Sequence, residues 1–257
     1  MKNSIRWDHL TSPEIRKLAE EKAIVLVPVG STEQHGPHLP VGTDALLATY
    51  LSEQIALELQ KRGKPCVVTP TVAVANSTHH MSFAGSLTLK PQTYLQMIQD
   101  YCESIAAHGF RRIVLVNGHG GNRAPTNTAL IDINEKLGFP VYFTGYSSAS
   151  AQAEREILET QSTMIHACEE ETSLILAMDA TLVDPVYQQT KGNPGYGMEV
   201  LDNGVLETFH RMEAHTENGV MGNAYATSVE KGQALVQRMT KDMADVLEDE
   251  SLWDQKV

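Results

Sequence analysis

The residues that could do chemistry are histidines and carboxylates that directly follow short apolar runs. Glu33, His35 and Asp44 come after one such run, and His119 comes after another. Imidazole and carboxylate together are the ligand chemistry of Zn²⁺, Mn²⁺ or Fe²⁺, whereas Mg²⁺ and Ca²⁺ favour oxygen ligands alone. In an extended segment Glu33 and His35 point to the same side, so they can reach one metal ion or two neighbouring ions.

A second candidate group lies at His166 and Glu169, just before an apolar stretch. These residues are three apart and would share a face of a helix, where one could donate a proton and the other bind a metal ion. Acidic residues at a helix N-terminus also interact favourably with the helix dipole, so the glutamates here have a structural explanation as well.

Strands and helices alternate along the chain, and this alternation positions the candidate residues. The predicted strands cover residues 23–29, 66–69, 112–116 and 140–143, and the predicted helices cover 43–63, 94–107, 122–137, 169–178 and 229–247. This order predicts an α/β fold with a mainly parallel sheet and helices on both faces. Ligands bind outside the carboxyl ends of such strands, where the loops that carry Glu33 and His119 come together.

The rest of the chain gives weaker signals. Residues 184–223 have no clear period, so we expect irregular loops there. The acidic run 248–250 is expected to be a solvated tail. No repeat, linker or composition break divides the sequence, so we expect one domain over residues 1–257.

The overall charge bears on the class of partner. The 257 residues include 20 Lys and Arg against 32 Asp and Glu, a net charge of −12 with histidine neutral. Without a basic cluster, nucleic acid and anionic membrane are not expected as partners, and a small-molecule substrate is favoured. The apolar runs are far shorter than the roughly 20 residues of a membrane helix, and the three scattered cysteines suit a reducing compartment. We therefore expect a cytoplasmic protein.

Four motifs, in order along the chain, resemble the creatininase (creatinine amidohydrolase) family. They are GSTEQHGPHLPVGTD at 30–44, HMSFAGSL at 80–87, VNGHGGN at 116–122 and HACEEETS at 166–173. The resemblance implies a three-layer α/β/α fold and a site with two divalent metal ions, Zn, Mn or Fe, that hydrolyses a C–N amide bond. It also implies a homo-oligomer, often a hexamer.

The resemblance further implies roles for the candidate ligands. Glu33 and His119 would hold one metal ion and His35 the other, while Asp44 would bridge them. Glu169 looks like the remaining carboxylate ligand of the second ion.

Other residues would act on the substrate. His166 matches the histidine that transfers a proton near the scissile bond. His80 is expected to contact substrate, and backbone N–H groups near Gly85 and Ser86 are expected to stabilise an oxyanion. We interpret His79 as a loop residue.

Several departures favour a HAGE-type branch of the family rather than creatininase itself. Members that hydrolyse creatinine carry a glutamate where this chain has Gly121, and they enclose creatinine with tryptophans. Here the only tryptophans are Trp7 and Trp253, outside every motif. Cys168 stands where relatives commonly have glycine and is interpreted as a small buried residue. His38 is expected to contact the ligating side chains rather than the metal ion itself.

Two alternatives to amide hydrolysis stay open. The first is a related metal-dependent hydrolase that acts on a formamide or opens a cyclic ketone. The second is a non-catalytic metal-binding oligomeric protein that has kept the fold.

Overall fold

The computed structural model describes residues 4–193 and 208–257. Within these ranges the strands are β1 (Ile24–Val29), β2 (Cys66–Val68), β3 (Arg112–Asn117) and β4 (Val141–Gly145). The α-helices are α1 (Ser12–Glu20), α2 (Thr43–Lys61), α3 (Pro91–Ala107), α4 (Arg123–Leu137), α5 (Ala151–Ile157), α6 (Glu169–Asp179) and α7 (Val229–Leu247). None of the helices in these ranges is both long and apolar enough to cross a membrane.

The four strands form one parallel sheet in the order β2-β1-β3-β4. All six residues of β1 are buried, as expected for the central strand of a sheet that is covered on both faces. Val29 and Asn117, the last residues of β1 and β3, are register partners. The loops that follow these two strands therefore start side by side.

Side chains alternate across the sheet and build two separate cores. Leu26 and Val116 face a core shared with α2, α6 and α7, while Val25 and Leu115 face a second core shared with α3 and α4. The structure thus confirms the predicted three-layer α/β/α arrangement. Strand alternation explains it, because successive residues of a strand point to opposite faces.

Two helices were not predicted from the sequence, α1 and α5. The start of α1 nevertheless carries a recognisable signal: the backbone N–H of Thr11 donates to Glu14 Oε2 at 2.9 Å, and Pro13 lies in the first turn. This is a capping box with a proline where the helix needs no N–H donor. Ile15 and Leu18 then pack against the second core.

The acidic run 248–250 is largely exposed, as the sequence predicts, but it is tied to the body of the protein by ion pairs. Glu250 pairs with Arg112 at 2.6 Å and with Lys64 at 2.9 Å, and Glu248 pairs with Arg62 at 3.0 Å. These exposed pairs dock the end of the chain near the start of β3. Of the stretch 184–223, the described parts contain short 3₁₀ turns at Pro185–Gln189 and Met212–Ala214, and residues 194–207 lie outside the described residues.

The close packing of α6 on α7 can be tested at Gly232. A Cβ atom on this buried glycine would overlap the carbonyl oxygen of Ser173. We expect Gly232→Ala to lower the free energy of unfolding by about 3 kcal/mol, because backbone cannot move aside as a side chain can. Urea unfolding measures this, with Gln233→Ala on the exposed face of α7 as control; equal effects of the two changes would contradict the close contact.

Candidate metal centre

Glycine lets the loop after β3 approach the first turn of α2. A Cβ atom on Gly118 would lie 2.5 Å from the carbonyl oxygen of Asp44 and 3.2 Å from the Cβ of Ala48. Only glycine fits so close to another backbone. The contact brings Asp44, in the first turn of α2, beside His119.

His119 meets two carboxylates. Its Nδ1 lies 3.2 Å from Glu33 Oε1 and 3.1 Å from Asp44 Oδ2, and all three side chains are buried. The other ring nitrogen, Nε2, donates to the carbonyl oxygen of Asn76 at 2.9 Å. In the neutral ring this bond leaves the lone pair on Nδ1, facing Glu33 and Asp44, as in metal-binding histidines.

His35 is arranged in the same way on the other side of Asp44. Its Nδ1 donates to the backbone carbonyl of Glu33 at 3.1 Å, while Nε2 lies 3.0 Å from Asp44 Oδ1 and 3.8 Å from Glu171 Oε1. The two oxygens of Asp44 therefore face two different histidines.

The donor set fits divalent cations. Four buried side-chain atoms here have no hydrogen-bond partner: Glu33 Oε2, His35 Nε2, Asp44 Oδ2 and Glu171 Oε2. Buried polar atoms are nearly always paired, and four unpaired atoms on neighbouring side chains indicate a site for positive charge. Burial lowers the pKa of His35, but Asp44 and Glu171 outweigh it and hold that pKa well above its usual value.

The structure does not bring Glu169 to this cluster, although the sequence analysis expected it as a ligand. The Glu169 carboxylate is buried on the opposite side of α6, where it accepts from the backbone N–H groups of Glu159 and Thr160 and pairs with Lys231 Nζ at 2.6 Å. The carboxylate beside His35 belongs to Glu171. Because helical residues advance by about 100° each, two positions along α6 point to opposite sides.

Gln34 organises the next layer of the site, and the sequence analysis did not single it out. Its Oε1 accepts from the backbone N–H of Gly36 at 2.9 Å, which fixes the amide orientation. The amide nitrogen then donates to the carbonyl oxygen of Gly219 at 3.1 Å and to His80 Nδ1 at 2.9 Å. His80 Nε2 consequently carries a proton, and it lies 3.2 Å from Glu33 Oε1.

His166 lies against the same group. Its Nε2 donates to the backbone carbonyl of Gln34 at 2.9 Å, and its Nδ1 is 3.7 Å from Glu33 Oε1. Burial and the neighbouring His35 keep the pKa of His166 well below its usual value. The ring is therefore neutral, with the Nδ1 lone pair on the side of the cluster.

The predicted substrate-contacting residues lie on the loop 78–87. Leu87 N donates to the carbonyl of Thr32 at 2.8 Å, so this loop runs beside the loop that follows β1. Ser86 Oγ accepts from Gln34 N at 3.1 Å, and Gly85, with φ of +90°, packs against Val41. His80 is buried beneath them, and the substrate roles of His80, Gly85 and Ser86 stay predictions.

Three further residues complete the surroundings. His38 Nε2 pairs with Thr172 Oγ1 at 2.9 Å, and burial lowers the pKa of His38 to about 4. Cys168 is buried at the start of α6, and burial raises the pKa of its thiol to about 12. His79, interpreted from sequence as a loop residue, lies stacked on His119 with ring centroids 5.5 Å apart.

Comparison with known proteins places this site in a family context. Residues 8–247 match the family described as "Creatininase: Creatinine amidohydrolase". A mycofactocin precursor peptide peptidase of Mycobacterium ulcerans is 39% identical over 102 residues, 38% of this chain and 40% of the relative. A 3-dehydro-scyllo-inosose hydrolase of Thermotoga maritima is 32% identical over 117 residues, 45% of this chain and 36% of the relative.

A third relative is more distant. It is a 2-amino-5-formylamino-6-ribosylaminopyrimidin-4(3H)-one 5'-monophosphate deformylase of Methanobrevibacter ruminantium, 29% identical over 133 residues, 51% of this chain and 50% of the relative. The chain thus spans about half the length, or less, of the curated relatives it matches.

Solved creatininases share the fold over nearly the whole chain. A structure named "Creatininase Mn" has a TM-score of 0.80 at 24% identity and covers 96% of this chain and 99% of that chain. A tryptophan-to-phenylalanine mutant of creatininase has a TM-score of 0.79 at 25% identity, with the same two coverages. These matches agree with the three-layer fold and with the resemblance found in the sequence.

The two glutamates of α6 can be distinguished by metal content. We expect Glu171→Gln to lose bound divalent ion, because Glu171 faces His35, and Glu169→Gln to keep it, because Glu169 faces Lys231. Elemental analysis after loading with zinc gives ions per chain for both variants and wild type. Loss of metal from Glu169→Gln with retention in Glu171→Gln would reverse the assignment.

Lys231 has a structural role that can be measured separately. Lys231→Met would leave the buried Glu169 carboxylate without its cation, and we expect it to lower the free energy of unfolding by about 3 kcal/mol at neutral pH. Burial opposes ionisation, but Lys231 and the donors of residues 159 and 160 hold the pKa of Glu169 below its usual value. The Glu169 carboxylate therefore stabilises the fold at pH values above the pKa that it has in the unfolded protein. This stabilisation is lost as the pH falls through the lower pKa that it has in the folded protein.

The difference in the free energy of unfolding between wild type and Lys231→Met should accordingly become smaller below about pH 4. Lys241→Met is the matched control, because Lys241 pairs with Asp245 on the exposed side of the same helix and both side chains are largely exposed. Urea unfolding at several pH values measures both variants. A difference that stays constant with pH would contradict a role for the Glu169 charge.

Proposed function

Because the chain belongs to the creatininase family, we propose that it is a metal-dependent hydrolase that cleaves a C–N amide bond of a small molecule. The observation that carries the proposal is the set of buried, unpaired donor atoms on Glu33, His35, Asp44 and Glu171. Such a set is costly to bury without a cation. The named hydrolases among the relatives support the reaction class.

The proposed site holds two divalent ions. Glu33 and His119 would hold one, His35 and Glu171 the other, and Asp44, with one oxygen toward each histidine, would bridge them. When bound, such ions supply an activated water and polarise the amide carbonyl. Nitrogen and oxygen ligands together suit zinc, manganese or iron.

His166 is the proposed proton-transfer residue. Its Nε2–H is held by the Gln34 carbonyl, so Nδ1 is the nitrogen that can accept a proton on the side of the cluster. A neutral imidazole can take a proton from the attacking water and then give it to the departing nitrogen. Gln34 keeps the ring in the tautomer that this sequence of transfers requires.

The surroundings argue against creatinine as the substrate. Tryptophans enclose creatinine in members that hydrolyse it. In this chain the Trp7 ring packs on the Phe110 ring and the Trp253 ring packs on the Tyr142 ring. Neither Phe110 nor Tyr142 belongs to the candidate metal centre. A formamide or a cyclic ketone is the second candidate, because relatives named as a deformylase and as a 3-dehydro-scyllo-inosose hydrolase share this family's sequence pattern.

A substrate panel tests the reaction class. The protein is loaded with zinc, manganese or iron and incubated with lactams, short peptides, formamides and cyclic ketones, and products are identified by mass spectrometry. Hydrolysis of a lactam or peptide, lost in Glu33→Gln, would support the proposal. A protein that binds two ions per chain but turns over nothing in the panel would point to the non-catalytic alternative.

The role of His166 gives a kinetic prediction. We expect His166→Ala to lower kcat by about 10²- to 10⁴-fold, the range typical of general acid–base catalysis, with metal content unchanged. Turnover of the best panel substrate and ions per chain are measured together. His108→Ala, a change at an exposed histidine at the end of α3, is the control, and near-normal turnover in His166→Ala would contradict the assignment.

A further inference from the structure

His79 and His80 form part of one short 3₁₀ turn but serve different partners. His80 accepts a hydrogen bond from Gln34 on one side and pairs with Glu33 at 3.2 Å on the other. His79 instead stacks on His119 with an interplanar angle of 15°. One nitrogen of His79, one nitrogen of His119 and a carboxylate oxygen of Glu33 all lie within 4.8 Å of one another.

The space for the His79 ring depends on Gly121. A Cβ atom there would lie 2.8 Å from His79 Cε1 and 2.5 Å from the Asn76 carbonyl oxygen, and it would overlap His119 Nε2. Any side chain at position 121 would therefore displace the two stacked rings. Glycine is needed for room here, and the space beside His119 is filled by an imidazole from another loop.

Of the two neighbouring histidines, only His79 keeps a lone pair for this position. The proton that His80 carries on Nε2 points to Glu33, because its Nδ1 accepts from Gln34. Within residues 4–193 and 208–257, neither ring nitrogen of His79 has a hydrogen-bond partner. His80 thus pairs with Glu33 through Nε2, whereas the ring of His79 is held by ring contacts, stacked on His119 and against the edge of His80.

We propose that His79 is a metal ligand and binds the same ion as Glu33 and His119. This inference rests on the proposed function, since it concerns the same metal centre. Ligand atoms about 2.0–2.2 Å from a tetrahedral ion lie roughly 3.3–3.6 Å apart. A side-chain shift of about 1 Å would therefore bring the ligand atoms of Glu33, His79 and His119 to that spacing.

The proposal makes the two halves of the site chemically different. With His79, one ion has two imidazole ligands, from His79 and His119, together with the carboxylates of Glu33 and Asp44. The other ion has one imidazole, from His35, and the carboxylates of Asp44 and Glu171. Imidazole ligands favour zinc over manganese, so the His79 side, which has one more imidazole, is expected to retain zinc more strongly than the other side.

Metal titration of His79→Gln tests the assignment. Zinc affinity is measured by chelator competition and the coordination by the visible absorption of the cobalt-loaded protein, in wild type, His79→Gln and the exposed-histidine control His108→Gln. We expect His79→Gln to bind one ion at least tenfold more weakly, to keep the second within threefold and to show altered cobalt bands. In the smaller variant His79→Ala, added imidazole should restore the cobalt bands.

The outcomes separate this proposal from the proposed function. Wild type that binds two ions, with His79→Gln matching it in affinity and cobalt spectrum, would overturn the ligand role and leave the hydrolase proposal in place. Wild type that binds no divalent ion would overturn both. Circular dichroism of the metal-free proteins checks folding, and failure of imidazole to restore the spectrum of a folded His79→Ala would also count against the ligand role.

Discussion

Glu33, Asp44 and Glu171 are buried around the same two histidines, His35 and His119, and carboxylates so close together and so far from water repel one another strongly. Few arrangements of a chain tolerate this. Each carboxylate is held against an imidazole, and each imidazole is in turn held by a backbone carbonyl that fixes which nitrogen faces inward. The carboxylates leave an excess of negative charge at the centre of the cluster, and a bound cation would neutralise it.

The parallel sheet makes the cluster possible by placing its parts without strain. Val29 and Asn117 end side by side, so the loops that carry Glu33 and His119 share one edge. Gly118 then allows the first turn of α2 to approach, which adds Asp44. The carboxylate from α6 and the histidines of the loop 78–87 come from distant parts of the sequence, and the core beneath the sheet keeps them in register.

The sequence was a good guide wherever a pattern repeats. Alternating apolar runs predicted the sheet and its two helical layers, and the predicted ends of α7 agree with the structure. Glu33, His35, Asp44 and His119 could be predicted to lie together because they belong to segments that follow strands whose ends meet, and the structure places them side by side. Imidazole beside carboxylate is the ligand chemistry of divalent transition metals, so residue type alone predicts a candidate metal site there.

Elsewhere the sequence left the outcome open for identifiable reasons. Glu169, Glu170 and Glu171 are identical in type, and which of them faces His35 depends on the rotation of α6, which spacing from His166 does not determine. Gln34 is an ordinary amide until its partners on the loops 78–87 and 215–223 are known. His79 gains its position only because Gly121, far away in sequence, leaves room for its ring.

The first turn of α6 restricts the insertions and deletions that can be accepted there during evolution. Glu171 faces His35 in the candidate metal centre and Glu169 faces Lys231, so the turn is anchored on both sides. Gain or loss of one residue between His166 and Glu171 would rotate the helix by about 100° and remove both anchors at once. The length of this segment is therefore far less free to vary than its side chains, and new specificities are expected to arise in loops that bear on neither anchor.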